Sequence, residues 1–319
     1  MQATRTYRQE PASPDLEPRE VTLTCPSFPN TLQKAMDLIL HPDRMEVSSV
    51  ARMVDEDWEI RDRMLQVINS SYYGLNRAVD TPNRMVVLLG PVTVSGMLVG
   101  MDLLKLRDTF DEQTEPVFIR LMQHSAATAF LARHIAELIR TSDGGADKLA
   151  HQHVGESFAT GMIHDFGRII LLFNRPSDAG ELYGALCGEQ GISVELIREK
   201  ETEFFGCDPV DVGVDFSRTL RFPDVATDVI RYHLSPDEIR QDPLSVEARM
   251  VRAVAAAHTA ANSMGYAFPC PRSEEDCIAD KSWAALVEHD LPGFHASELA
   301  RRIIDLRAFV SEYVSLLVS

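Results

Sequence analysis

The chain has 319 residues, 45% hydrophobic and 25% charged, a composition that excludes a mainly disordered polypeptide. Its 31 basic and 48 acidic side chains give a formal net charge of −17, which repels nucleic-acid phosphates and anionic lipid; neither nucleic acid nor membrane is an expected partner. No stretch approaches the ~20 apolar residues of a membrane span, and the five cysteines are scattered with no C-x-x-C pair, which points to a reducing cytoplasmic setting.

Residues 1–24 read as a flexible tail. Pro11, Pro14 and Pro18 interrupt a polar stretch, and it holds no apolar core of a secretory signal. From Asn30 the pattern turns helical. Leu32, Ala35, Met36, Ile39 and Leu40 recur at helical spacing until His41-Pro42 stops them. Val47 to Val54 marks a second helix, and Ile60, Met64, Leu65 and Ile68 a third, with Asp57 as its N-cap. Asn69-Ser70-Ser71-Tyr72-Tyr73-Gly74 follows. It can be a polar and aromatic binding edge, or a helix end in which Asn and Ser cap, the tyrosines pack and Gly74 takes φ > 0; the second is favoured. Thr81-Pro82 opens another helix, which ends at Gly90, and Pro91 opens the next, running through Leu104. The polar segment 107–115 reads as a linker between two helical lobes.

The second lobe starts with a long helix over 116–140 and a loop at Gly144-Gly145. A single helix over 153–174 is expected to carry His164-Asp165. Further helices are expected at 178–190, 193–205, 208–220, 223–234 and 243–264, then 280–289 and 296–317. Alternation of period two is scarce throughout, so the predicted fold is all-α.

His164-Asp165, followed by Phe166-Gly167-Arg168, is the sharpest chemical feature. Imidazole and carboxylate suit a divalent transition metal, and further ligands have to come from other helices. His124, His233 and His258 each lie in an apolar helical segment. His124 faces inward with Leu131, Ile135 and Leu138. Each histidine singly is more simply a hydrogen-bonded core residue. Cys187 and Cys207 lack a basic neighbour and read as packing residues.

The order His124, then His164-Asp165-Phe166-Gly167-Arg168, resembles the HD superfamily of metal-dependent phosphohydrolases. Phe28-Pro29, His41-Pro42-Asp43, Val54-Asp55-Glu56-Asp57, the run Leu65 to Gly74 and Met85 to Gly90 resemble the N-terminal lobe of HDOD domains. Phe205 to Gly213, Arg221-Phe222-Pro223 and Tyr232-His233 continue that pattern. The resemblance spans about 25–265, with an N-terminal lobe over 25–110 and an HD-like lobe over 113–265. Residues 266–319 form a C-terminal helical extension.

The resemblance implies a metal set of His124, His164, Asp165 and His258, with Arg168 and His233 as phosphate or ligand contacts. It also exposes departures. Active hydrolases of the cyclic-dinucleotide phosphodiesterase type have a histidine where this chain has Pro209. A paired His-His becomes His233-Leu234. The closing Asp falls at His258 or Ala257. Arg168 stands for a lysine, and it too can bind phosphate. A two-metal set is therefore broken, and at most one divalent ion (Fe, Mn, Zn or Mg) is expected, held weakly. The implied function is a non-catalytic module of bacterial cytoplasmic signal transduction that binds a signalling protein or a small nucleotide. The alternative is a one-metal phosphohydrolase acting on a nucleotide or phosphoester.

Overall fold

The computed structural model describes residues 3–9, 19–26, 34–35, 46–142, 149–189 and 191–318. Two strands come first. β1 (Thr4–Gln9) and β2 (Arg19–Thr24) pair antiparallel, with Tyr7 opposite Val21 and Arg5 opposite Leu23. This corrects the tail expected over 1–24. The reason is a short run of period two: Val21, Leu23 and Cys25 turn inward, at most 9% exposed, while Thr22 faces solvent. Asn174 anchors the hairpin. Its Oδ1 accepts from Thr24 N at 2.7 Å and its Nδ2 donates to Thr24 O at 2.8 Å.

The other regular elements among the described residues are helices, as the periodicity predicts. The helix expected over 32–40 lies outside the described residues, except for helical Lys34 and Ala35. The first lobe contains α1 (Val47–Asp55), α2 (Trp58–Ile68), α3 (Pro82–Leu89) and α4 (Pro91–Leu104). Asp57 caps α2, its Oδ1 accepting from Glu59 N at 3.0 Å and Ile60 N at 3.2 Å. Gly90 separates α3 from α4 at φ +84°, a value L side chains rarely adopt. Asn69 closes the end of α2: Nδ2 donates to Leu65 O and Val79 O, and Oδ1 accepts from Val79 N, each at 2.8 Å. Gly74 has φ +54°, and the Tyr72 ring packs 4.5 Å from Phe130, so this segment is built as a helix end.

A 3-10 turn at Lys105–Thr109 leads to α5 (Glu115–Thr141), whose 27 residues span about 40 Å at 1.5 Å per residue. The second lobe continues with α6 (His151–Ile163), α7 (Phe166–Asn174), α8 (Pro176–Leu186) and α9 (Val194–Phe205). Then come α10 (Pro209–Thr219), α11 (Asp224–Tyr232) and α12 (Val246–Ser263). The single helix expected over 153–174 is two helices, α6 and α7, broken at His164-Asp165. Asp165 leaves helical geometry at φ −96°, ψ 28°, and its carbonyl starts α7 by accepting from Arg168 N at 3.0 Å.

The C-terminal region holds α13 (Glu274–Ile278), α14 (Lys281–His289), α15 (Ala296–Ile304) and α16 (Arg307–Val318). The helix expected over 296–317 is likewise divided, at Asp305-Leu306. α5, α6 and α12 pack on one another at the centre, α4 lies on α6, and α16 returns onto α5 and α2. One cluster of buried side chains runs from Val21 to Val318, so the described residues from 266 onward belong to the common core. Tyr313 of α16 meets Phe130 at 5.0 Å between ring centroids. At the surface Glu312 accepts from Ser71 N at 3.1 Å and from the Ser71 hydroxyl.

Candidate metal centre

Close helix packing brings the histidines together. A Cβ at Gly161 would lie 2.6 Å from Ala129 Cα, so only glycine lets α6 approach α5 this closely. His124 of α5 thereby meets His164 at the end of α6, and His258 of α12 closes a third side. His124 Nε2 lies 3.2 Å from His164 Nε2 and 3.0 Å from His258 Nδ1; His164 Nε2 and His258 Nδ1 are 3.2 Å apart. Asp165 Oδ2 points at the same spot, 3.5 Å from His164 Nε2 and 3.8 Å from His124 Nε2. The break between α6 and α7 makes this possible, because neighbours in a continuous helix diverge by about 100°. These four residues are 0–6% exposed.

Each ring is oriented from behind. His124 Nδ1 donates to Tyr266 O at 2.6 Å, and His164 Nδ1 donates to Gly161 O at 2.8 Å. Both therefore present a bare Nε2 to the centre when neutral. The Asn262 amide sits 3.1 Å behind His258 Nε2. Burial keeps the rings neutral, pushing His124 down to about 4 and His164 to about 3. Burial, and then the His124 and His164 rings, hold His258 well below the ordinary histidine value.

Asp165 is charged and divided between two neighbours. Burial pushes its carboxyl up, but Arg168, then His164 and His233, overcome this and hold it well below the carboxylate range. Its Oδ1 accepts from Arg168 Nη1 and stands 3.6 Å from His233 Nε2. Oδ2 is buried with no hydrogen-bond partner. Arg168 is buried too, and gives Nε and Nη2 to Glu201 at 2.7 and 3.1 Å. Its cation is thus spent on two carboxylates, and it does not line the cavity over the site. His233 does line that cavity. Its Nδ1 donates to Val229 O and Ile230 O, both at 3.1 Å.

That cavity, about 380 Å³, is walled by the start of α9, the end of α11 and the start of α14. Of the centre it reaches His258 and the neighbouring His233, and not His124, His164 or Asp165. Behind the centre α7 and α10 touch through backbone: a Cβ at Gly167 would lie 1.7 Å from Pro209 O. Pro209, the position without a ligand atom, is occupied by that helix crossing.

The sequence pattern of the HDOD domain matches residues 25–236. This chain belongs to the HDOD domain family. Its fold is shared with an HDOD domain protein of unknown function from Geobacter sulfurreducens, at 19% identity and TM-score 0.68, over 92% of both chains. A candidate signal transduction protein from Marinobacter aquaeolei matches at 17% identity and TM-score 0.62, over 92% of this chain and 60% of that one. A candidate metal-dependent phosphohydrolase from Shewanella amazonensis matches at 16% identity and TM-score 0.56, over 90% and 93%. No curated protein sequence matches the chain. At these identities the likeness is one of fold. Among the described residues no single helix is long and apolar enough to cross a membrane.

The structure gathers His124, His164, Asp165 and His258 into one centre, sets His233 at its edge and ties Arg168 between Asp165 and Glu201. The donor set fits a divalent ion: three imidazole nitrogens converge with a carboxylate oxygen that lacks any other partner. Sequence reasoning missed Glu201, which is 33 residues from Arg168 and has no local signal. It also missed Asn262, which stands four residues after His258 on the same helical face and was within reach of the helical period.

Proposed function

We propose that this HDOD domain is a non-catalytic regulatory module whose buried centre takes at most one divalent ion and whose output is the binding of a signalling protein or a small nucleotide. The observation that carries this reading is the division of Asp165. One oxygen is neutralised by Arg168, itself fixed by Glu201, and only the other is left for a metal. A second cation would have to displace a buried guanidinium, and Pro209 offers it no ligand. His124, His164, His258 and Asp165 would hold a single ion. Bound there, it would supply positive charge to Asp165 and could polarise an oxygen approaching through the cavity. The side-chain ligands themselves do not line that cavity, except His258, which limits the approach of a substrate.

The unpartnered Asp165 Oδ2 favours a second reading, a one-metal phosphohydrolase. One experiment separates the two. Untagged protein, loaded with Mn²⁺, is screened against nucleotides and phosphoesters beside His164→Ala. The module reading expects equal, background turnover from both. Turnover that His164→Ala abolishes would establish the hydrolase.

A further inference from the structure

We infer that Asn262 is a positioning residue that holds His258 in the tautomer carrying its proton on Nδ1, and so lowers the affinity of the centre for metal. The orientation of the Asn262 amide is set by the backbone. Its Oδ1 accepts from Phe268 N at 3.3 Å, so its Nδ2 faces His258 Nε2 at 3.1 Å. An amide nitrogen only donates, so His258 Nε2 has to accept. In a neutral ring the proton then sits on Nδ1, the nitrogen aimed at the centre.

The surroundings agree with that assignment. His124 and His164 have their own Nδ1 protons committed to Tyr266 O and Gly161 O. Their Nε2 lone pairs face each other at 3.2 Å, a contact that needs a proton or a cation between them. The His258 Nδ1 proton meets both, at 3.0 and 3.2 Å. For His258 to ligate, the proton must move to Nε2, which then needs an acceptor. Asn262 can provide one only by turning its amide and giving up Phe268 N–H. Two of the three imidazoles are preset for a metal, and the third is preset against it. The inference rests on the centre being a single-cation site, as proposed above.

The test uses the full chain with ¹⁵N-labelled histidine. In the metal-free protein, His258 is expected to show a protonated Nδ1 and a bare Nε2, the same ring pattern as His124 and His164, whose bare Nε2 faces the centre where that of His258 faces Asn262. Asn262→Asp supplies two acceptor oxygens, one for Phe268 N–H and one for His258 Nε2–H. It should reverse the His258 pattern and tighten Zn²⁺ binding, read by competition with a chelating dye, by about 10- to 100-fold. If Asn262→Asp does not fold, Asn262→Leu removes the donor to Nε2, leaves only the His124 and His164 lone pairs to hold the proton on Nδ1, and should tighten Zn²⁺ binding. A proton found on His258 Nε2 in the unsubstituted protein, or unchanged or weaker Zn²⁺ binding in the variants, would overturn the inference. If no form binds Zn²⁺, the single-cation reading and the affinity half of the inference fail together, while the ring pattern still decides the tautomer.

Discussion

Two of the buried charge clusters among the described residues are finished differently. In the C-terminal region Asp290 receives Arg252 through both oxygens, at 2.6 and 3.0 Å, and Arg252 Nη2 also reaches Pro243 O. At the centre Arg168 serves Asp165 and Glu201 together, yet Asp165 Oδ2 and His233 Nε2 are left without hydrogen-bond partners. A carboxylate that only ties helices together, as Asp290 does with Arg252 and with Arg249 beside it at 3.6 Å, has both oxygens bound, because each open buried polar atom costs about 1–3 kcal/mol. A cluster that keeps open atoms beside converging imidazoles is arranged for something that can still arrive.

The sharpest way to break this contrast is to remove one carboxylate from each cluster. Asp290→Ala strands Arg252 and should destabilise by about 3–5 kcal/mol in urea unfolding. Asp165→Ala leaves Arg168 on Glu201, so its cost should be smaller, about 1–2 kcal/mol. The reverse order would mean that the centre, not the C-terminal pair, is the structural cluster.

Acid should act on the centre. His124 and His164 titrate near 4 and 3 in the fold, against an ordinary 6.5. The unfolded chain therefore binds more protons between those values. The stability they contribute is present above 6.5 and is lost as pH falls toward 4 and 3, by up to about 1.4 kcal/mol per pH unit for each ring. His124→Gln should flatten that slope in pH-dependent urea unfolding; an unchanged slope would contradict the burial of a neutral His124.

Glu156 provides a third case, with the opposite sign. Burial, and then Glu247, push its carboxyl up to about 7 from 4.5. Its contribution is intact below 4.5 and is lost as pH rises through 7. Glu156→Gln should leave stability unchanged at pH 4 and raise it by about 1–3 kcal/mol at pH 8, measured by urea unfolding at both values. The smallest effect belongs to the surface. Glu312→Ala removes the acceptor for Ser71 from α16 and should cost no more than about 1 kcal/mol. A larger melting-temperature drop would make that contact a principal tie between the C-terminal region and the first lobe.

What was legible in the sequence follows the range of the interactions. Helix ends such as Asp57, Asn69 and Gly90 rest on contacts no more than ten residues apart, and they read directly. His124 and His164-Asp165 were legible from inward-facing helical spacing and from adjacency. The break between α6 and α7 was not, because the segment is apolar on both sides and helical in period. The break depends on the turn at Asp165 and on His164 Nδ1 reaching Gly161 O. The hairpin was hidden by its prolines, and its anchor joins Thr24 to Asn174 across 150 residues. Arg168 read as a phosphate contact because it stands where the family resemblance puts a lysine that meets phosphate. Only the fold shows that Glu201 already holds it.

In the proposed reading, Arg168 limits this centre to one cation and the site does not hydrolyse phosphoesters. Mn²⁺ stoichiometry, measured by mass spectrometry on chelator-stripped and refilled native protein with phosphodiester turnover read from the same sample, tests both at once. No more than one Mn²⁺ per chain, absent in Asp165→Ala, with turnover no faster than that variant, is the predicted result. Two ions per chain, or turnover that disappears in Asp165→Ala, would contradict it.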